Sequence, residues 1–223
     1  MDWQALFLSL SLAGWTVALL LPVSVLAGRV LASPRLRARG LVEGLVMLPL
    51  VLPPTVFGYY LLVALGRGSP LGALWEELFG APLVFSFSGL VVASVIFNLP
   101  FAIQPAQRAF EAVPAGLRDA AATCGMSPLA TLWRVDLPLA WPGVLTAMVL
   151  TFAHTLGEFG IVLMVGGAIP GETRTIAIAI YDRVQAFDMG AAGAMSAALV
   201  AISLATISIT FLLSARLGRR LGP

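Results

Sequence analysis

The chain has 223 residues, 59% of them hydrophobic and only 11% charged, with a mean hydropathy of +0.96 and a formal net charge of +2. A soluble domain carries about 25% charged residues, so a single water-soluble core is excluded and a bilayer is the solvent that fits. All 13 basic residues are Arg and lie scattered along the chain, which argues against a nucleic-acid module, and the sole cysteine, Cys124, excludes an internal disulfide.

The charges divide the chain into apolar runs. No Asp, Glu or Arg lies between Asp2 and Arg29, Glu43 and Arg67, Glu77 and Arg108, Asp136 and Glu158, or Asp188 and Arg216. Each gap exceeds the roughly 20 residues that a helix needs to cross a bilayer. Continuously apolar runs of that length read as helices, which satisfy their own backbone, and not as alternating barrel strands. The expected fold is therefore all-α and integral to the membrane. It is a single domain over 1–223, with about five spans near 5–27, 41–64, 84–104, 140–165 and 191–214. The first span lacks a basic leader and is too long for a cleavable signal. Two partly apolar stretches, 69–82 and 161–171, leave room for a sixth, short re-entrant span. Pro22, Pro49, Pro53, Pro54 and Pro100 interrupt the spans, either as kinked packing or as hinge and pore lining.

Five spans put the ends on opposite sides. One side then holds Arg29, Arg35, Arg37, Arg39, Arg108, Arg118, Arg134, Arg216, Arg219 and Arg220; the other holds Arg67, Arg174 and Arg183. This bias predicts an outside N-terminus, a cytoplasmic C-terminus and a cytoplasmic segment 106–138. Trp3, Trp15, Trp75, Trp133 and Trp141 mostly fall near the expected membrane edges.

Segment 106–138 reads as helix, turn, helix. Pro114 suits a first turn, Ala115–Cys124 are mostly helix formers, and Gly125 suits the left-handed residue that ends a helix. Ser127-Pro128 then reads as a cap and first helical position, with the second helix running to about Asp136. The small side chains of 120–122 would let another protein approach closely, although an ordinary loop has the same spacing. In the fourth span Thr151, His154, Thr155 and Glu158 fall on one helical face. A charge deep in a bilayer usually faces a partner or water. The stripe is thus a helix–helix polar contact or a translocation-path and gate element, and His154 and Glu158 are spaced to pair directly. Arg174, beside Gly171 and Thr173 on an outer loop, is a solvated charge or a contact for a binding protein or anion. Neither a metal-ligand pattern nor a catalytic constellation occurs, and a P-loop is impossible without Lys.

Asp119-Ala120-Ala121, Gly125 and Val135-Asp136-Leu137-Pro138 resemble the "EAA" loop of ABC importer permeases, E-A-A-x3-G-x9-I-x-L-P, with Asp119 for Glu and Val135 for Ile. The resemblance implies that Asp119, Ala120, Ala121, Gly125, Val135, Leu137 and Pro138 form a coupling helix that docks on an ATP-binding subunit. A narrower resemblance covers nearly the whole chain. Leu48–Tyr60, Leu156-Gly157-Glu158-Phe159-Gly160, Gly167–Thr175 and Ala179-Ile180-Tyr181 are similar to the molybdate permease family. Ala168 stands where that family has Asn, and His154 where it often has Arg.

The family resemblance implies a permease fold of the MetI type, a homodimer in the cell membrane of a prokaryote, two cytoplasmic ATP-binding subunits and an external oxyanion-binding protein. No cofactor would be bound by this chain, and ATP would be used by the partner subunit. The implied function is inward transport of molybdate or a similar tetrahedral oxyanion; tungstate and sulfate or thiosulfate are the alternatives. An ion- or proton-coupled carrier, with His154 and Glu158 as relay, is the reading from another class. Few fixed cations line the spans, so a transient passage is expected, with selectivity supplied outside.

Overall fold

The computed structural model describes residues 1–33 and 36–220, with side chains described to residue 208 and at Leu212. Arg35 and the side chains of Arg216, Arg219 and Arg220 therefore lie outside the described residues. The described elements are helical and run in chain order: α1 (Trp3–Leu31), α2 (Arg39–Val51), α3 (Pro54–Leu65), α4 (Pro70–Phe79), α5 (Phe87–Glu111), α6 (Ala115–Thr123), α7 (Pro128–Thr131), a π-turn (Leu132–Asp136), α8 (Leu137–Leu156), α9 (Gly160–Gly166), α10 (Ile176–Gln185) and α11 (Met189–Arg220).

The centre is a packed trio of α1, α5 and α8, whose buried side chains include Leu20, Ala102, Ala106, Phe110, Val144 and Ala147. Lipid offers no hydrophobic drive for helices to associate, so close backbone approach through small residues does the work. Gly28 shows how close: a Cβ there would lie 3.0 Å from the Gln107 backbone nitrogen. Ser9, Thr16, Ser24 and Ser94 are buried in the same bundle.

The predicted spans 41–64 and 140–165 are both broken. In the first, Pro53 excludes the α conformation from Leu52, which takes φ −81° and ψ 141°, and α2 and α3 meet at a bend of 109°. The two ends of the pair lie towards opposite ends of α5. Arg39 at the start of α2 pairs with Glu111 at the end of α5, whereas Leu65 at the end of α3 packs with Leu83 and Val84, just before α5 begins. In the second, α8 ends at Leu156 and the chain restarts as α9, whose end lies beside the start of α5, where Phe85 N–H donates to the Val165 carbonyl at 2.8 Å; of the stretch 161–171, helix covers the part up to Gly166. The stretch 69–82 forms the short, largely exposed α4.

The helix–turn–helix expectation holds at its start and fails at its end. Gly125 has φ +75°, Met126 N–H donates to the Ala121 carbonyl at 3.0 Å, and Ser127 Oγ caps α7 by accepting from Ala130 N–H at 3.2 Å. The second helix does not stop near Asp136. It continues through the π-turn into α8 as one stretch, Pro128–Leu156. The reason is Pro138, which has no N–H to give and would crowd the preceding turn. The wider turn, closed by Leu137 N–H to the Leu132 carbonyl, absorbs it without breaking the helix. Helix α5 also runs past the predicted edge at 104, to Glu111. The tryptophan belt is partial: Trp15 is exposed in the middle of α1, and Trp75 packs in a tilted contact against Phe79 with ring centroids 4.1 Å apart.

Candidate functional site: a cleft between two broken helices

The two breaks meet. An added Cβ at Gly160 would sit 3.0 Å from Pro54 Cβ and 3.4 Å from Thr55 N, and one at Gly58 would sit 3.2 Å from Ile161 Cα. Helices α3 and α9 therefore run side by side in the same direction, with both N-termini at the same place. Each helix start leaves backbone N–H groups without an intrahelical acceptor and carries the positive end of the helix dipole. Both helix starts border a cleft of about 610 Å³ lined by Pro54, Thr55, Phe97, Ala153, His154, Gly157, Glu158, Phe159 and Gly160. Phe97 lies near the middle of α5, so the cleft sits at mid-depth.

A polar node closes one wall. Glu158 is 6% exposed. Its Oε2 accepts from Ser94 Oγ at 3.0 Å and from Asn98 Nδ2 at 3.3 Å, while Oε1 has no hydrogen-bond partner among the described residues. Asn98 Oδ1 lies 2.9 Å from His154 Nδ1, and the imidazole is stacked on Phe101 with centroids 3.9 Å apart. His154 and Glu158 thus do not pair directly. The helix that would have placed them at i and i+4 ends between them, and Asn98 bridges them instead. Asn98 and Ser94 are absent from the sequence-derived set. An Asn inside an apolar span is itself a signal, since lone polar groups in lipid need a partner.

The other stripe residues, Thr151 and Thr155, do not line the cleft. Thr151 and Thr155 are buried and bond back to the carbonyls of Ala147 and Thr151, both at 2.8 Å. On the opposite loop, Thr173 is buried, donating to the Gly166 carbonyl at 2.6 Å and accepting from Ile169 N–H at 3.0 Å. Gly171 has φ +82° and is exposed. Arg174 is part-exposed and paired. It bridges Asp2 at 3.2 Å and Asp182 at 2.9 Å, tying the start of α1 to α10. Such part-exposed pairs contribute about 0–1 kcal/mol. Arg174→Gln is accordingly expected to lower the melting temperature by roughly 2–4 °C for each kcal/mol lost. Its apparent affinity for transported anion should match wild type in an uptake titration; a large rise in KM would return Arg174 to the anion path.

The EAA-like residues sit at the end of the molecule that holds Arg29, Arg39 and Glu111. Asp119, Ala120, Ala122 and Gly125 are exposed, and Ala121 is buried at 6% exposure against the molecule. Val135 and Leu137 are half-buried and Pro138 is exposed. Asp136, the motif's variable position, is fully buried and accepts from Arg29 Nε and from Arg118 Nε at 2.7 Å. No group of His, Cys, Asp and Glu able to hold a metal occurs among the described residues.

Residues 21–223 match the family described as binding-protein-dependent transport system inner membrane component. The chain belongs to that family. It is 47% identical to the molybdenum transport system permease protein ModB of Azotobacter vinelandii, over 91% of this chain and 89% of that one. It is 37% identical to the ModB of Escherichia coli K12, over 93% and 90%. Among solved structures, it superposes on a bacterial ABC transporter involved in import of the acidic polysaccharide alginate, with a TM-score of 0.77 at 16% identity, over 96% of this chain and 78% of that one. The protein is thus a multi-pass membrane subunit of a binding-protein-dependent transport system and carries the all-helical permease fold.

Proposed function

We propose that this chain is the permease of an ATP-driven importer of molybdate, that it acts as one of two copies, and that the cleft is each copy's wall of the anion path. The observation that carries this reading is the meeting of two parallel helix N-termini at mid-depth. A tetrahedral oxyanion needs several donors, and the sequence offers only His154 as a cation-capable side chain within a span. First-turn amides of α3 and α9, with the aligned dipoles behind them, supply donors at no cost in buried fixed charge. They also suit transient contact, because a neutral N–H array attracts an anion without an opposite charge to hold it. The names of the relatives at 47% and 37% identity favour molybdate as the tetrahedral anion.

The cleft is not enclosed by this chain alone. A single copy therefore lines only part of a passage, which supports a homodimer. The EAA-like segment Asp119, Ala120, Ala121, Gly125, Val135, Leu137 and Pro138 is the proposed seat of a cytoplasmic ATP-binding subunit, two in the full assembly. Sidedness agrees with this. Arg29, Arg39, Arg108, Arg118 and Arg134 gather at the α6 end, and Arg174 pairs with Asp2 at the other, supporting an outside N-terminus and a cytoplasmic C-terminus. The outer loop with Gly171 is the candidate face for the external binding protein, while Thr173 and Arg174 shape that loop from within.

The test is uptake in proteoliposomes holding the permease, its ATP-binding subunit and the external binding protein. Labelled molybdate should enter only with ATP and binding protein present. Entry driven by a proton or sodium gradient alone would instead make the chain a secondary carrier, and ATP-driven entry of sulfate but not molybdate would move the substrate.

A further inference from the structure

One buried carboxylate joins the EAA-like helix to the spans. Asp136 is the last residue of the π-turn and has 0% exposure. Its two oxygens go to different helices. Oδ2 accepts from Arg29 Nε near the end of α1, and Oδ1 accepts from Arg118 Nε in α6. The Arg118 fork has a second tine: Nη2 donates to the Phe110 carbonyl, near the end of α5, at 2.7 Å. Four elements therefore converge on one side chain: α1, α5 through Arg118, α6, and the helix that becomes α8.

Helix α6 is otherwise lightly attached. Ala121 is its only buried residue, and its neighbours are α7 and the π-turn. A push on its exposed face has few apolar contacts through which to travel. A charge-assisted pair held by planar guanidinium groups is short, directional and stronger than a neutral hydrogen bond. Full burial of the carboxylate, with both guanidinium groups only partly exposed, reduces the screening of the pair by salt. The carboxylate also sits where the helix is already widened, so movement of α6 relative to α1 is felt at the wide turn below α8, the helix whose far end reaches the cleft at His154 and Gly157.

We infer that Asp136 is a positioning residue for coupling: with Arg118 and Arg29 it transmits displacement of α6 to α1 and α8. Arg118 is the input side, because it alone of the pair lies on α6. Arg29 is the output side, anchored in the central trio. This inference rests on α6 being the docking helix.

The experiment compares transport with ATP hydrolysis in the reconstituted complex. Arg118→Gln leaves Asp136 paired with Arg29, so burial of an unpaired charge is avoided. It is expected to keep ATP hydrolysis near wild type while anion moved per ATP falls by about 5- to 150-fold, the usual range of coupling between linked sites. Asp136→Asn should do the same, and Arg118→Lys, which keeps the charge but not the two-pronged fork, should recover only part of the loss. A purely structural contact predicts something else: thermal stability and both rates fall together, with an unchanged ratio. An unchanged transport-to-ATP ratio in Arg118→Gln overturns the inference, whether or not Asp136→Asn assembles. Failure of the docking reading is separately visible, because Ala120→Trp would then leave binding of the ATP-binding subunit unaltered.

Discussion

Gly160→Val is expected to nearly abolish anion uptake while leaving the assembled complex and its ATP hydrolysis in place. Even a single added carbon at this position would lie 3.0 Å from Pro54 Cβ and 3.4 Å from Thr55 N. Valine adds two more methyls beside Thr55 N, the first amide of α3 because Pro54 has no N–H, and at the first residue of α9. Either the side chain covers those N–H groups or the two helix starts move apart; both remove the paired donors. Overpacking of this kind costs about 1–3 kcal/mol, and the same energy placed on the passage barrier slows it about 5- to 150-fold. Uptake of labelled molybdate, read against ATP hydrolysis in the same vesicles, is the measurement. Gly58→Leu provides a partner experiment. A Cβ at Gly58 would lie 2.9 Å from Met164 Cβ, one turn away from the cleft, so it wedges the same helix pair without covering the amides. Near-wild-type uptake in Gly160→Val would remove the helix starts from the anion path.

Ala120→Trp and Ala121→Trp are expected to fail in different ways. Both alanines belong to the same motif, yet Ala120 faces outward and Ala121 faces the molecule. A tryptophan at 120 places a large ring on the surface offered to the ATP-binding subunit. If that face docks closely, a misfit of about 1–3 kcal/mol weakens association by about 5- to 150-fold, read by co-purification and titration of the subunit. The isolated permease should melt as wild type does. At 121 the ring must instead enter the space between α6 and the π-turn, so the permease itself loses stability before docking is asked of it. Wild-type affinity for the subunit in Ala120→Trp would place the docking surface elsewhere.

These two pairs of variants mark where reading along the chain reaches its end. The spans were legible because a bilayer imposes a length and bars unpaired charge, and both constraints act residue by residue. The turn at Gly125 and the cap at Ser127 were legible for the same local reason: the backbone conformation needed there suits few residue types. The bend at Pro53 was partly legible, since proline restricts its predecessor, although its 109° could not be read from composition. The break at Gly157 was not legible. Nothing in Leu156-Gly157-Glu158-Phe159-Gly160 forbids a helix as strongly as proline does, and the chain restarts there against Pro54, a residue more than a hundred positions away.

The sequence by itself determined that this protein lives in a membrane, that about five segments cross it, and that one short segment resembles a docking helix. Hydrophobicity, charge spacing and turn chemistry are local properties, and they sufficed for that. Only the tertiary structure decided which polar groups meet. Asn98 stands between His154 and Glu158, Arg174 spans Asp2 and Asp182, and Asp136 gathers Arg29 and Arg118. Side chains lacking water must find partners in three dimensions, and those partners come from other helices. The helix starts of α3 and α9 are the plainest case: a census of side chains finds almost no positive charge in the spans, because the donors that matter there belong to the backbone and exist only where the fold breaks two helices at the same place.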